Sequence, residues 1–503
     1  MSPVRAAFSA AEGLNIPFDN TYARLPAGFY QRTTLSPVCA PRLVRVNRTL
    51  AGQLGIDPDG LANPDGVQVL AGNLAPHGAE PIALAYAGHQ FGNFTPQLGD
   101  GRAVLLGEVV ALDGGRRDIQ LKGSGRTPFS RGGDGRAALG PVLREYLIGE
   151  AMAAFGIPTS RALAAVTTGE EVYRGTPLPG AVLARVAASH IRVGTFQFFA
   201  AQGDVNAVRI LADYTIERHY PELVEHEARY AAFLAAATAR QAELVARWLL
   251  VGFIHGVMNT DNTAVSGETI DYGPCAFMDA YNPATVFSSI DLAGRYAYGN
   301  QPRIAAWNMA RLADTLLPLL SEDQSAAMAV AQEALDGFGP RFEAAYLQGL
   351  RRKVGLSTNQ EGDNALTHDL LSRMAAGEAD FTLTFRALCG AAVGPDGDAA
   401  VRTLFQDGTT YDGWATIWRS RLAQEPGPAE AHAAAMRALN PVYIPRNHQV
   451  EAALAAAVTH GDFGPFETLL DVNTRPFEER PGMERFTLPP EPDQRVLQTF
   501  CGT

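Results

Sequence analysis

Hydrophobic and polar positions change their period twice along this 503-residue chain. Up to about residue 80 the pattern is irregular. Residues 44–54 have the spacing of one short helix, and Pro58, Gly60, Pro64 and Gly66 punctuate the next stretch. From residue 86 a period of two takes over. Segment 103–110 is rich in Val and Leu, and Asp113-Gly114-Gly115 marks a hairpin turn. Segment 117–122 alternates, with Ile119 and Leu121 on one side and Gln120 and Lys122 on the other. Residues 141–155 read as a helix that opens on Pro141 and ends at Gly156 and Pro158. Apolar runs at 161–167 and 181–187 suit two more strands, separated by a turn-rich segment, 168–180. From about residue 197 the helical period dominates. Asp204 is placed to cap a helix, and 221–253 keeps helical spacing. A loop runs from 274 to about 300, and later helices break near Ser321, Gly337, Gly394 and Pro426. From Arg475 the chain is rich in Pro and Glu and predicts an extended strap. A sheet-rich part followed by a helix-rich part predicts an α+β fold.

Charge and composition narrow the function classes. The net charge of -12 argues against a general nucleic-acid binder and against docking on an anionic membrane, while leaving room for a local basic pocket. The four cysteines, Cys39, Cys275, Cys389 and Cys501, form no C-x-x-C pair, so no structural zinc site is implied. No apolar run is long enough to span a bilayer. The first residues carry Glu12 and lack the sustained apolar core of a secretory signal. The expectation is a protein of a reducing cytoplasm.

Chemistry concentrates in the stretch 255–273, H-G-V-M-N-T-D-N-T-A-V-S-G-E-T-I-D-Y-G. Asp261, Asn262 and Asp271 flank a small turn at Ser266-Gly267. Two carboxylates and an amide oxygen suit a hard cation such as Mg2+; they also suit any turn rich in Asp and Asn. The spacing from His255 to Asn262 equals that of the protein-kinase catalytic loop H-R-D-x-x-x-x-N, and Asp271-Tyr272-Gly273 stands where kinases carry D-F-G. The kinase base falls at Val257, which cannot accept a proton. Upstream, Gly99-Asp100-Gly101-Arg102 opens one strand and Lys122 closes the next. That is the order of a kinase N-lobe, in which a glycine loop covers phosphates and a strand lysine contacts them. Taken alone, Lys122 reads equally as a solvated strand end. Glu145 and Glu150 both lie where a kinase helix supplies the lysine's partner, and spacing does not separate them. Loop 122–136, with Lys122, Arg126, Arg131 and Arg136, suits an anion site or a plain surface loop. Arg185 lies inside an apolar strand and Arg192 follows it; burial of Arg185 requires an acid or a phosphate beside it.

Six segments, taken in order, carry a resemblance to a known family. They are Y-A-G-H-Q-F-G from Tyr86, L-G-D-G-R from Leu98, I-Q-L-K-G-S-G-R-T-P-F-S-R-G-G-D-G-R from Ile119, E-Y-L-I-G-E-A-M from Glu145, H-G-V-M-N-T-D-N from His255 and I-D-Y-G-P-C-A-F from Ile270. With Cys501 near the end, the chain resembles the selenoprotein O family, kinase-like proteins long called pseudokinases that act as protein adenylyltransferases. Bacterial members commonly carry Cys where some eukaryotic ones carry selenocysteine. The resemblance implies a two-lobed protein-kinase-like fold: an N-terminal extension at 1–80, a β-rich N-lobe at 81–196, a helical C-lobe with the metal loop and extra helices at 197–474, and a tail at 475–503. It implies ATP bound in a flipped pose. AMP then passes to Ser, Thr or Tyr hydroxyls of proteins and pyrophosphate leaves; some bacterial members are associated with UMP transfer using Mn2+.

By motif match, Gly99, Gly101, Arg102, Lys122, Asp134, Gly135, Arg185, Arg192 and Asp271 would contact the nucleotide. Asn262 and Asp271 would hold Mg2+ or Mn2+, Glu145 would pair with Lys122, and Asp261 would accept the hydroxyl proton. Partners would be ATP and substrate proteins, with no nucleic acid and no membrane, in a bacterial cytoplasm. The resemblance also favours a reversible pairing of Cys275 with Cys501, tying the tail to the activation segment. The alternative is a small buried Cys275 and a solvated Cys501. Two rival functions stay open: a kinase that moves the γ-phosphate, against which Val257 counts, and a non-catalytic ATP-binding scaffold, which needs no acid beside Asn262.

Overall fold

A computed structural model describes residues 14–500. Its β-rich N-terminal region is built on an eight-stranded sheet. The strand order is Tyr30–Arg32, Ile82–Leu84, Ala103–Val110, Arg116–Lys122, Pro177–Ala187, Arg161–Tyr173 and Arg42–Val46, with Ala137–Ala138 paired beside Pro177–Ala187. Its pairings are antiparallel. Alternation sorts the two faces. Val104, Leu106, Ile119, Leu121, Val182 and Ala184 enter one apolar core with Leu50, Leu54, Leu61 and Leu70 from the short helices of residues 48–70. The other face carries Gln120 opposite Arg185 and Lys122 opposite Leu183. Arg185 and Lys122 therefore stand on the face away from that core, toward the helical part of the chain.

Helix Leu139–Ala154 packs on the Arg161–Tyr173 and Pro177–Ala187 strands. It brings Arg144, Glu145 and Glu150 into the interior, and the chain leaves it through Gly156 in a left-handed conformation (φ 74°).

Three local expectations change. One is that 221–253 is not continuous helix, because irregular residues 224–228 separate the short turn Pro221–Leu223 from the helix Arg229–Leu250. Residues 44–54 are not one helix: 42–46 is a strand, and the helix is Arg48–Gln53. Asn47 makes the break. Its side-chain oxygen caps Leu50 N (3.1 Å), while its amide donates to Glu150 (2.8 Å) and to Ala162 O (3.1 Å). Segment 168–180 is largely strand, because both flanking strands run on to a tight turn at 174–176. Gly169 at φ 73° and a register shift between Pro179 and Ala181 absorb its glycines and prolines without ending the pairing.

The C-terminal region is helical, with Val193–Ala200, Val205–His219 and Arg229–Leu250 first and Gln301–Leu320 through Gly464–Asn473 later. Asp204 caps the second of these by accepting from Ala207 N (2.9 Å). Between Leu250 and Gln301 the chain is mostly irregular and is pinned by Phe253–Ile254 pairing with Ala276–Phe277. That short clamp closes loop 255–275 and holds it against the charged face of the sheet. A large apolar core runs from that face through the helices. Among the described residues no helix is long and apolar enough to cross a membrane. The segment after Arg475 returns over the helical part. Arg446 donates to Thr487 O (3.0 Å), Thr499 forms a bridge with Ser288, and Thr499 Oγ1 donates to Pro274 O (2.6 Å).

Candidate active site

A cleft of about 410 Å³ lies between the sheet's charged face and loop 255–275, a size typical of small-molecule sites. Asp271 forms part of its wall. Its backbone is left-handed (φ 59°), a conformation that Asp adopts more readily than most residues. Lys122 Nζ stands 3.0 Å from Asp271 Oδ1, Arg185 Nη1 stands 2.6 Å from the same oxygen, and Arg192 donates to Oδ2. Glu145 closes the cluster, 2.6 Å from Lys122 and 3.1 Å from Arg185. Gln120 Oε1 fixes Arg185 from behind by accepting from Nε (2.7 Å).

Three cations thus meet two carboxylates, and the cluster keeps one positive charge to offer an anion. Burial by itself would push both carboxyls up. Arg192, Arg185 and Lys122 outweigh it at Asp271 and hold that group well below the usual carboxylate range; Lys122 and Arg185 hold Glu145 down as well.

The turn Thr260–Asn262 forms the opposite wall. Arg192 reaches it too, donating to Asp261 O (2.5 Å). The Asp261 carboxyl is buried; among the described residues Oδ1 has no hydrogen-bond partner, and Oδ2 accepts from Gln90 Nε2 at 3.4 Å. Burial, against the pull of Arg192, raises this carboxyl to about 6. Asn262 Nδ2 donates to Val257 O (3.1 Å), which leaves its amide oxygen without a hydrogen bond among the described residues. That oxygen and the ionised Asp271 line the same cleft. Two oxygen donors of this kind fit a hard divalent cation that keeps most of its shell as water and phosphate. No group of three or more His, Cys, Asp or Glu able to hold a metal occurs among the described residues. Val257, at the position of a kinase base, presents only hydrocarbon to the cleft.

The remaining residues singled out in the sequence divide by place. Arg102 lines the cleft. Gly99 and Gly101 lie beneath loop 127–130, where a Cβ at Gly99 would fall 2.3 Å from the Phe129 ring and one at Gly101 2.9 Å from Phe129 O. Asp134 stands outside the cleft wall on the exposed loop, paired with Arg174 (2.7 Å). Gly135 crosses Gly125 so closely that a Cβ would sit 2.2 Å from its carbonyl. Arg126 and Arg131 are exposed. Glu150 pairs with Arg161 (2.7 Å). Cys275 is buried directly after Pro274, where Thr499 docks; Cys501 lies outside the described residues.

Sequence reasoning assigned no role to a hairpin at 88–95, whose Gln90 and Phe91 line the cleft, nor to Tyr86, whose ring lies 4.8 Å from the Arg192 guanidinium. The available signal was a polar, aromatic and glycine-bounded segment, Y-A-G-H-Q-F-G, with no apolar face of its own.

Comparisons with known proteins agree along the chain. A family model described as protein adenylyltransferase SelO matches residues 12–474. A protein nucleotidyltransferase YdiU from Rhodopseudomonas palustris (strain BisB5) is 62% identical over 490 residues, covering 97% of this chain and 100% of that protein. One from Methylorubrum extorquens (strain PA1) is 64% identical over 493 residues, covering 97% and 99%. One from Bradyrhizobium sp. (strain BTAi1 / ATCC BAA-1182) is 63% identical over 490 residues, covering 97% and 100%.

Proposed function

This chain belongs to the protein adenylyltransferase SelO family, and from that premise we propose how its cleft works. The protein is a nucleotidyltransferase that moves AMP from ATP to Ser, Thr or Tyr hydroxyls of other proteins. The sheet region and the helical region act as the two lobes of a kinase-like fold, dividing near residue 197. Within the described residues the stretch before residue 80 joins the sheet region, through strands Tyr30–Arg32 and Arg42–Val46 and the short helices of 48–70, rather than standing apart as an extension, and the segment after residue 475 serves as a tail. The observation that carries the reading is a reversal of roles on one wall. Val257 puts hydrocarbon where a kinase keeps its base, while the buried carboxyl of Asp261 lines the same cleft.

In the step itself an acceptor hydroxyl oxygen bonds to the α-phosphorus, the bond from that phosphorus to the bridging oxygen breaks, and pyrophosphate leaves. Asp261 takes the hydroxyl proton. A carboxyl near 6 is mostly ionised at neutral pH and basic enough to share a proton in the transition state. Pyrophosphate carries several charges, so fixed cations matter more than the base. Lys122 and Arg102 line the cleft directly. Arg185 and Arg192 point at Asp271, so they act through their field and by fixing that carboxylate. Asn262 and Asp271 would hold a divalent cation, Mg2+ or Mn2+, which when bound neutralises phosphate charge. Asp134 and Gly135, which lie outside the cleft wall on the 122–136 loop, would meet the nucleotide only where it extends past that wall, with Gly99 and Gly101 shaping the loop beneath. Some relatives' association with UMP and Mn2+ extends to this cleft as a second nucleotide choice.

The enzyme works in the bacterial cytoplasm, and Cys275 pairs reversibly with Cys501. The docking of Thr499 on Pro274 supports that pairing, because it carries residue 499 of the tail to the residue before Cys275. The test of function is mass spectrometry of an acceptor protein incubated with the enzyme, ATP and Mg2+. An AMP adduct on a hydroxyl side chain is expected. A phosphate adduct would favour the kinase, and an unmodified acceptor the scaffold.

A further inference from the structure

Residues 88–95 form a two-stranded hairpin, Gly88–Gln90 against Asn93–Thr95, turning through Phe91 (φ 51°) and Gly92 (φ 87°). It lies directly on the turn that carries Asp261. The backbone on each side of Gln90 is tied down. His89 N donates to Thr260 Oγ1 (2.7 Å) and Phe91 N donates to Asn259 Oδ1 (3.0 Å). Both acceptors are themselves held, since Thr260 donates to Gln197 Oε1 (2.6 Å) and the Tyr296 hydroxyl donates to Asn259 Oδ1 (2.6 Å). Gly88 permits the approach: a Cβ there would fall 2.3 Å from Asp261 Oδ1. The consequence is that residue 90 is delivered to the remaining oxygen. Gln90 Nε2 lies 3.4 Å from Asp261 Oδ2, and this is the one side-chain hydrogen bond that the carboxylate receives among the described residues. The Gln90 side chain makes no other hydrogen bond among them, and both residues line the cleft.

We propose that Gln90 is a positioning residue for the transfer: it orients the Asp261 carboxylate toward the incoming hydroxyl. The proposal rests on the reading of Asp261 as proton acceptor and deepens it. A carboxylate turns easily about its terminal torsion, which has a broad profile rather than three deep wells. Gly88 limits that rotation by contact alone and offers Oδ1 no donor. One amide, held by a hairpin whose own backbone is anchored at residues 259 and 260, fixes the plane. Proton transfer needs heavy atoms within about 2.6–3.2 Å, and a misplacement of about 1 Å costs on the order of 100-fold in rate. A glutamine at this position meets the need because its amide reaches across the cleft edge without bringing a second charge next to Asp261.

The test uses the full chain with α-labelled ATP, Mg2+ and dephosphorylated casein as a hydroxyl-rich acceptor. It compares wild type, Gln90→Ala, Gln90→Met, Asp261→Asn and the Gln90→Met/Asp261→Asn double variant. Gln90→Met keeps the length of the side chain and removes its donor. In both single Gln90 variants kcat is expected to fall about tenfold or more, while KM for ATP and calorimetric ATP affinity stay within about twofold. On top of Asp261→Asn, Gln90→Met is expected to cost less than about twofold, because its effect runs through the carboxylate already lost. Wild-type kcat in Gln90→Met would overturn the proposal and leave Gln90 as packing. So would a raised KM with unchanged kcat, or a full additional loss in the double variant. Undiminished turnover in Asp261→Asn would overturn the base reading itself, and this proposal with it.

Discussion

Asp271 and Asp261 are both aspartates on one loop, yet their surroundings set them apart. Asp271 is the counter-ion of Lys122, Arg185 and Arg192, and removing it leaves Lys122 and Arg185 sharing Glu145 and Arg192 with no carboxylate in an ion pair among the described residues. Asp271→Ala is therefore expected to lower stability by about 3–5 kcal/mol as well as to abolish transfer, which thermal unfolding and label incorporation will show together. Asp261 takes part in no ion pair among the described residues, and its Oδ1 has no hydrogen-bond partner among them. Asp261→Ala is expected to leave the unfolding midpoint and ATP binding near wild type while the transfer rate falls about 10²–10⁴-fold. Equal stability losses in the two variants would contradict the division of roles. The two aspartates were legible in the sequence because the spacing from His255 survives in one continuous loop. The choice between Glu145 and Glu150 was not, because it depends on how a helix is rotated against a sheet. The structure places Glu145 at Lys122 and gives Glu150 to Arg161 and Asn47.

Among elements, the Arg116–Lys122 strand was readable from its strict alternation, and Gly156 with Pro158 located a helix end. The Arg42–Val46 strand was not readable, because five residues interrupted by two arginines give no period, and its partner lies more than a hundred residues away in Arg161–Tyr173. Helix ends also hold charge that pattern alone does not flag. Lys353, the last residue of helix Phe338–Lys353, is buried with its ammonium 4.4 Å from the Phe385 ring and 5.5 Å from the Phe381 ring, on helix Phe381–Ala391. Burial lowers its ordinary value to about 7. Between that value and the unfolded lysine's own range the unfolded chain binds the extra proton, so this group's contribution to stability rises with pH across the window. Below about pH 7 the folded state carries the full cost of a desolvated ammonium, partly offset by the aromatic faces. Lys353→Met is expected to be about 1–3 kcal/mol more stable than wild type at pH 6, with the gap narrowing toward pH 10. Unfolding midpoints that differ by the same amount at both pH values would contradict this account.

At the scale of the whole molecule, the order of a sheet-rich region before a helix-rich one was visible in the change of period. What the sequence did not disclose is how distant pieces meet. Strand Tyr30–Arg32 joins Ile82–Leu84, and the strap after residue 475 reaches the candidate active site, where Phe500 lines the cleft. Such contacts depend on tertiary packing rather than on any local period. If the tail is tethered through Cys501, transfer by wild type is expected to change severalfold between oxidised and reduced enzyme. Cys501→Ser is then expected to be insensitive to reductant. Equal rates for wild type under both conditions would remove the tether. The central claim concerns which bond of ATP is broken, and the most direct measurement compares ATP labelled at the α-phosphate with ATP labelled at the γ-phosphate in otherwise identical reactions with an acceptor protein. The account predicts protein-bound label from the α position and none from the γ position, with pyrophosphate released. Label retained from the γ position alone would contradict it and make the cleft that of a kinase.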